Sequence, residues 1–332
     1  MKNRPVAVII LNWNGENLLR RFLPDVIKST DSNIADIIVA DNGSTDNSVK
    51  VLRTEFPEVK LIEFSENYGF AEGYNRAINA TQYKYTVLLN SDVATTPKWI
   101  NVLYDYMEAN PQVGACQPKI RSVEEPEKFE YAGASGGFLD CNGYPYCRGR
   151  IFSTVECDRE QYDDIISIFW ATGAALMVRS ELYISAGGLD KDFFAHMEEI
   201  DLCWRILLSG YDIKAIPGSV VYHLGGGSLP ASNPRKTYLN FRNNLLLLHK
   251  NLPDATRCKK LFRRRLLDTI AWIKFILTFD FKNANAILKA HCDFKTMRKA
   301  YTMHPSVDLL DCRRDTHRNI LVDYYLKRKK TW

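Results

Sequence analysis

Four continuous apolar runs punctuate the first hundred residues: VAVIILNW (6–13), ADIIVAD (35–41), VKLIEF (59–64) and YTVLLNSD (85–92). Runs of this kind, with no polar alternation, read as strands buried on both faces. Helical periodicity fills the gaps, over 16–29, 46–56, 70–80 and 97–109, the last with Pro97 in its first turn, where proline is tolerated. Strands alternating with helices predict an α/β fold, a mostly parallel doubly wound sheet with right-handed crossovers. From 113 to 178 the pattern is irregular and rich in Gly and Tyr, apart from IFWATGAALMV (168–178), which reads as one more buried run. Strands are predicted at DIKAIP and SVVYH, and after Pro234 the pattern is helical, ending in two or three basic amphipathic helices.

One helix is ambiguous. HMEEIDLCWR (196–205) sets Glu198, Glu199 and Asp201 just ahead of an apolar stripe of Ile200, Cys203, Trp204, Leu207 and Leu208. Acids in a first turn are favoured by the helix dipole, and Asp201 with Arg205 is an i,i+4 ion pair. On the helical wheel Asp201 and Glu199 flank the apolar face and Glu198 points nearly opposite. Local reasoning leaves open whether these acids start a helix or carry chemistry.

Charge divides the 332-residue chain. Residues 257–332 hold 19 Lys+Arg against 7 Asp+Glu, an excess of 12, on an otherwise acidic body. This predicts a boundary near 256 and a polyanionic partner for the basic region. The eight cysteines contain no C-x-x-C pair; a zinc site from Cys141, Cys147 and Cys157 is a lesser reading than scattered cytosolic thiols. The N-terminal apolar run ends in Asn-Trp-Asn-Gly and reads as a strand, not a signal peptide. No run reaches the roughly 18 apolar residues of a spanning helix; 266–279 comes nearest and contains Asp268 and Lys274. A cytoplasmic protein is expected.

Ligands of parallel α/β sheets bind at the carboxyl ends of the strands. Here those ends read LNWNG, ADNGSTDNS, ENYGFAEGYN and LNSDV. One such turn is unremarkable, whereas four in succession predict a polar ligand across the switch point. G-x-G-x-x-G and Gly-x4-Gly-Lys-Ser/Thr are both absent, which argues against dinucleotide and P-loop binding. Asp92, two residues after Asn90, suits one oxygen-ligated divalent ion bridging a diphosphate. VVYHLGGGS adds His223 beside glycines that leave room for a phosphate.

Taken in order, IILNWNG, VADNGSTDNS, NYGFAEGYNRAI, LLNSDV, GAALMVRSELYISAGGLDKDFFAHMEEIDLCWRILLSGY and VVYHLGGGS resemble the family 2 inverting glycosyltransferases of the GT-A fold. The nearest subgroup in appearance is the rhamnosyltransferase-like enzymes of bacterial surface-polysaccharide assembly. The resemblance covers about residues 5–250. It implies a GT-A domain over 1–256, with a nucleotide-sugar half (1–112) and an acceptor half (113–256), followed by the basic helical region 257–332. It implies a UDP- or dTDP-sugar donor, a glycan or lipid-linked saccharide acceptor, and Mg2+ or Mn2+ as cofactor. By position, Asp41 and Asn42 would meet the donor's base or ribose, with Asn12, Trp13 and Asn14 lining the same pocket and Asn67, Gly69 and Asn75 along the nucleotide. Asn90-Ser91-Asp92 matches the family's D-x-D metal motif with Asn in place of its first Asp, and His223 matches the late His of the metal or diphosphate site. The family's Glu-Asp falls on Glu198-Glu199, so Glu199 inherits the role of base, with Glu198 second and Asp201 as partner of Arg205. Trp170 and Gly173 would border the acceptor, the indole offering a face to a sugar.

Two other classes compete: a sugar-nucleotide nucleotidyltransferase, for which NWNGEN lacks the basic loop, and a catalytically silent glycan-binding protein, which the Asn at the metal motif would favour. In the basic region, Trp272, Phe275 and Phe279 recur at helical spacing after Arg263, Arg264 and Arg265. That pattern predicts peripheral contact with the anionic inner face of the cell membrane, in preference to nucleic acid.

Overall fold

The computed structural model describes residues 4–225 and 233–332. The predicted alternation is present: β1 (Val6–Asn12), α1 (Glu16–Ser29), β2 (Ala35–Asp41), α2 (Ser48–Glu55), β3 (Lys60–Glu63), α3 (Gly69–Asn79), β4 (Tyr85–Asn90), β5 (Val93–Thr95) and α4 (Trp99–Ala109). Why the strands carry unbroken apolar runs is visible in β1. Ala7 and Ile9 enter the core on one face of the sheet, while Val6, Val8 and Ile10 enter the core on the other. β1 pairs in parallel with β2 and β4, and β3 adds to β2.

The later strands are β6 (Val113–Ser122), β7 (Gly137–Leu139), β8 (Pro145–Cys147), β9 (Arg150–Ile151), β10 (Thr154–Val155), β11 (Ile166–Ser167), β12 (Ala175–Arg179) and β13 (Asp212–His223). The main sheet runs β11-β13-β6-β12-β4-β1-β2-β3, with β5 on β13, and β7 to β10 form a separate small sheet. β12 is antiparallel to both β4 and β6, so the sheet is parallel on one side of it and mixed on the other. Two expectations change here. The run 168–178 is strand only from Ala175, because Thr172 turns the chain, its amide held by Gln117 and its carbonyl accepting from Ala175. DIKAIP and SVVYH are one strand, β13, with a register shift between Ile216 and Val220 that absorbs Pro217 and Gly218.

Helices α5 (Ser180–Ser185) and α6 (Glu198–Leu208) precede β13, and α7 (Pro234–Asn251), α8 (Asp254–Leu277) and α9 (Phe281–Met297) follow it. Of the basic region, only α8, α9 and the short α10 (Leu309–Cys312) are α-helical; residues 315–332 pack on the small sheet. Asp140 accepts from the Ile320 amide, and Trp332 packs on Phe138 with centroids 4.3 Å apart. Arg264, one of the three arginines of the expected membrane contact, is buried, bonded to Asp268 (2.7 Å) and Asn244 (2.6 Å) and lying over the Tyr144 ring. Trp272 and Phe275 are half-buried. The exposed apolar stripe of α8 consists of Phe262, Leu266, Ile270, Ile273 and Leu277, each at least 45% exposed.

Candidate active site

The ends of β1 and β2 are knitted into one polar floor. Asp41 accepts from Asn12 Nδ2 (3.0 Å), from the Ser44 amide (2.9 Å) and from Ser44 Oγ (2.6 Å). Asn14, at φ 50°, accepts from the Thr45 amide at 2.7 Å. A Cβ on Gly15 would fall 2.2 Å from Asn12 Oδ1, so a side chain here would push the Asn12 amide from its place. Asn12 Oδ1 is buried and without a hydrogen-bond partner, an acceptor open to a ligand donor. Trp13 stands beside this floor, 57% exposed.

Two of the asparagines expected to touch the nucleotide, Asn42 and Asn75, are turned to the protein, while Asn67 is exposed. Asn42 is buried, donates to Asn67 Oδ1 and the Gly69 carbonyl (both 3.0 Å) and accepts from the Tyr68 amide. Asn67 Oδ1 also accepts from the Gly69 amide, at φ 77°. Asn75 donates to the Leu189 carbonyl (2.8 Å) and accepts from Tyr183 Oη and the Leu189 amide. Asn42 and Asn75 therefore fix the 67–69 turn and the 187–189 turn, and their amides have little left to offer a ligand.

Strand pairing builds the next cluster. Val93 pairs with His223 across β5 and β13, which sets Asp92 Oδ1 3.0 Å from His223 Nε2. Asn90 Nδ2 lies 3.4 Å from the same nitrogen. Behind the ring, Glu130 Oε1 is 3.5 Å from His223 Nδ1. Burial works against a charged imidazole, but the two carboxylates win and raise His223 to about 10. Burial raises Asp92, and its bond to His223 outweighs that and holds the carboxyl below its usual range. Glu130 was not foreseen, since FEYAG carries no motif. A carboxylate behind a ligating histidine fixes its tautomer and orientation. Of VVYHLGGGS, Gly226, Gly227 and Ser228 lie outside the described residues.

The acids of α6 are presented by a strained turn. Phe194, His196 and Met197 have φ of 64°, 68° and 75°, a conformation costly for non-glycine residues. α7 holds it: Asn243 Nδ2 donates to the carbonyls of Phe193 (2.9 Å), Ala195 (2.8 Å) and His196 (2.7 Å), and Arg242 donates to those of Asp192 and Phe193. Glu198 is only 5% exposed, which corrects the wheel: the side of α6 that the wheel leaves to solvent is covered too. Glu198 Oε2 and Glu199 Oε2 are both buried and unpartnered. Burial pushes Glu199 up to about 7; burial and then the neighbouring Glu199 push Glu198 well above the carboxylate range. Asp201 behaves oppositely. It is fully buried, yet Arg205 (2.6 Å) and Lys250 (2.9 Å) hold it ionised, with Asn251 on its other oxygen.

β12 brings these groups together. The Asn90 amide donates to the Ala174 carbonyl, and a Cβ on the adjacent Gly173 would lie 3.8 Å from Glu199 Cβ. Glu199 thus stands beside the strand end that leads to Asp92. Trp170 is not at this edge as a sugar platform: it is 3% exposed, packs on Gly137 and donates its indole N–H to the Phe138 carbonyl. Replacing Asn243 by Ala should leave two carbonyls of the strained turn, those of Ala195 and His196, without that donor, lowering stability by about 1–3 kcal/mol in urea titration and turnover more than KM. Unchanged turnover would show that the turn holds itself.

The family model for glycosyl transferase family 2 matches residues 7–177. The chain belongs to this family. This family 2 glycosyltransferase is similar over 236 residues, at 26% identity, to an N-acetylglucosaminyl-diphospho-decaprenol L-rhamnosyltransferase of Mycobacterium tuberculosis, covering 66% of this chain and 75% of that one. Rhamnosyltransferase WbbL of Escherichia coli K12 is 23% identical over 225 residues, 66% of this chain and 83% of its own. Among solved structures, S. aureus TarS 1–349 in complex with UDP-GlcNAc aligns with a TM-score of 0.57 at 14% identity, over 90% of this chain and 84% of that chain. GalNAc-T7 with UDP, GalNAc and Mn2+ aligns with a TM-score of 0.60 at 16% identity, over 76% of this chain; the chain spans 49% of that protein. The fold is GT-A, with helices added at its C-terminal end, and the protein is rhamnosyltransferase-like.

Proposed function

We propose that this protein is an inverting glycosyltransferase that moves a sugar from a UDP- or dTDP-sugar to a lipid-linked saccharide in surface-polysaccharide assembly. The observation that carries the reading is Glu199: a carboxylate with a buried, unpartnered oxygen, raised to about 7, beside the strand end that bears Asn90 and Asp92. A base with that pKa can take a hydroxyl proton near neutral pH. The acceptor O–H gives its proton to Glu199 as its oxygen bonds to the sugar's anomeric carbon. The anomeric bond to the diphosphate breaks on the opposite face, its electron pair leaving with the diphosphate. Asn12, Trp13, Asn14 and Asp41 are the residues proposed to meet the base and ribose, and Gly173 leaves room for the acceptor.

Mg2+ or Mn2+ fits the donor set at Asp92 and His223, a hard oxygen ligand and an imidazole oriented by Glu130. Two protein ligands leave the remaining positions to diphosphate oxygens and water; among the described residues no cluster of three His, Cys, Asp or Glu side chains forms a complete cage. The ion would neutralise the departing diphosphate. The test is a panel of UDP- and dTDP-sugars with Mg2+ or Mn2+. Release of UDP or dTDP is expected with one donor, and is expected to vanish in excess EDTA. Failure of every donor would overturn the enzyme reading, and full activity in EDTA the metal.

The same reading includes peripheral contact with an anionic membrane through 257–332. It is supported by the exposed stripe of α8, an apolar face with Lys259, Arg263, Arg265 and Lys274 on the same helix. Among the described residues no helix is long and apolar enough to cross a membrane.

A further inference from the structure

A second group of cations lies away from the site described above. A cavity of about 200 Å³ between α8 and α9 is lined by Arg265, His291, Phe294, Lys295 and Arg298. Three of these carry charges with no acid opposite them: among the described residues, no ion pair is made by Arg265, Lys295 or Arg298. The one carboxylate bonded to a lining residue is Asp268, which is buried and already shared by Arg264 and His291 Nε2 (3.0 Å). Phe294 is buried, with the Arg298 guanidinium 5.8 Å from its ring centroid. Arg265, Lys295 and Arg298 are exposed and line one cavity, and an anion there would offset the repulsion among like charges.

From this we infer that the α8–α9 cleft binds a phosphate group. Guanidinium and ammonium donors converging on a small cavity are the donor set for its oxygens, and the volume suits a headgroup-sized anion better than a nucleotide. The cleft also adjoins the exposed stripe. Arg265 follows Phe262 by three residues and directly precedes Leu266, so one helix presents the cavity's cation and the apolar side chains together. A phosphate in the cleft has two sources, a lipid headgroup or a soluble phosphate. The inference needs neither the donor nor the acceptor of the proposed reaction.

The experiment uses the full chain in EDTA, which removes a metal-held diphosphate site from the measurement. Inorganic phosphate is titrated calorimetrically into wild type, Lys295→Gln/Arg298→Gln, and the charge-keeping Lys295→Arg/Arg298→Lys. In parallel, each is sedimented with vesicles of phosphatidylcholine alone or with phosphatidylglycerol. Lys295 and Arg298 are exposed, so their removal leaves the core intact, and thermal melts verify it. Phosphate affinity should fall at least about tenfold in the Gln double variant, which corresponds to about 1.4 kcal/mol, and should survive in the charge-keeping one. Loss of phosphatidylglycerol binding in the same variant identifies a headgroup. Phosphate binding without vesicle binding identifies a soluble ligand and overturns the membrane reading alone. Equal phosphate affinity in wild type and Gln variant overturns the cleft. Vesicle binding that ignores the cations and is lost only in Leu266→Ser/Ile270→Ser assigns the membrane to the apolar stripe and, where phosphate affinity still falls in the Gln variant, assigns the cleft to a soluble phosphate.

Discussion

Glu199→Gln is expected to lower transfer by about 10²–10⁴-fold, the usual worth of a positioned base, with calorimetric affinity for UDP or dTDP unchanged. The wild-type rate should rise with pH through about 7, as Glu199 ionises, and reach a plateau above it. That limb should be missing from the residual activity of the variant. Stability should move the other way. Both glutamates have raised pKa values in the folded chain, so the native state holds protons that the unfolded chain releases, and stability falls as pH climbs from the carboxylate range towards 7. Glu199→Gln escapes that loss. It should melt above wild type at pH 8, the difference closing towards pH 4. A dead Glu198→Gln beside a fully active Glu199→Gln would move the role one residue back.

Asp201→Ala is expected to destabilise the fold by about 3–5 kcal/mol, the cost of leaving a buried ion pair half-made. Without the carboxylate, Arg205 and Lys250 lose their common partner, although Arg205 still donates to the carbonyls of Ala186 and Gly188 and Lys250 to Asp190. The Asp201 pKa is lowered on folding, so its contribution is full above the ordinary aspartate range and fades as pH falls through the folded value. Urea titrations at pH 7 and at about pH 2 check both parts. A loss under about 1 kcal/mol at pH 7, the range of an exposed pair, would mean that water reaches the network.

Much of the fold was legible because the first half obeys local rules. β1, β2 and β4 are buried on both faces, and their unbroken apolar runs announce it. Asp92 and His223 were legible one at a time, as polar residues at strand ends, and β5 pairing with β13 joins them. What was not legible depends on the third dimension. The helical wheel of α6 assumes one buried face, whereas Glu198, on the side it leaves to solvent, is buried too. Asn42 and Asn75 share the residue type of a ligand-binding asparagine, and only their hydrogen bonds reveal that they brace turns. Trp170 is aromatic in the right neighbourhood but spends its indole on Phe138 and Gly137. Asn243 had a faint signal: NFRNN sets three polar residues just before four leucines in a helix buried nearly all round.

The sharing of Asp201 between α6 and α7 also has a consequence for synthesis. Lys250 and Asn251 follow Asp201 by 49 and 50 residues, so the carboxylate leaves the ribosome well before two of its partners exist. At about 5–20 residues per second that delay is roughly 2–10 s, far longer than a helix needs to form. Until α7 emerges, the strained turn ahead of Glu198 lacks the donors of Arg242 and Asn243. The nascent sheet would then carry α6 without its α7 contacts, a window in which a holding chaperone has something to hold.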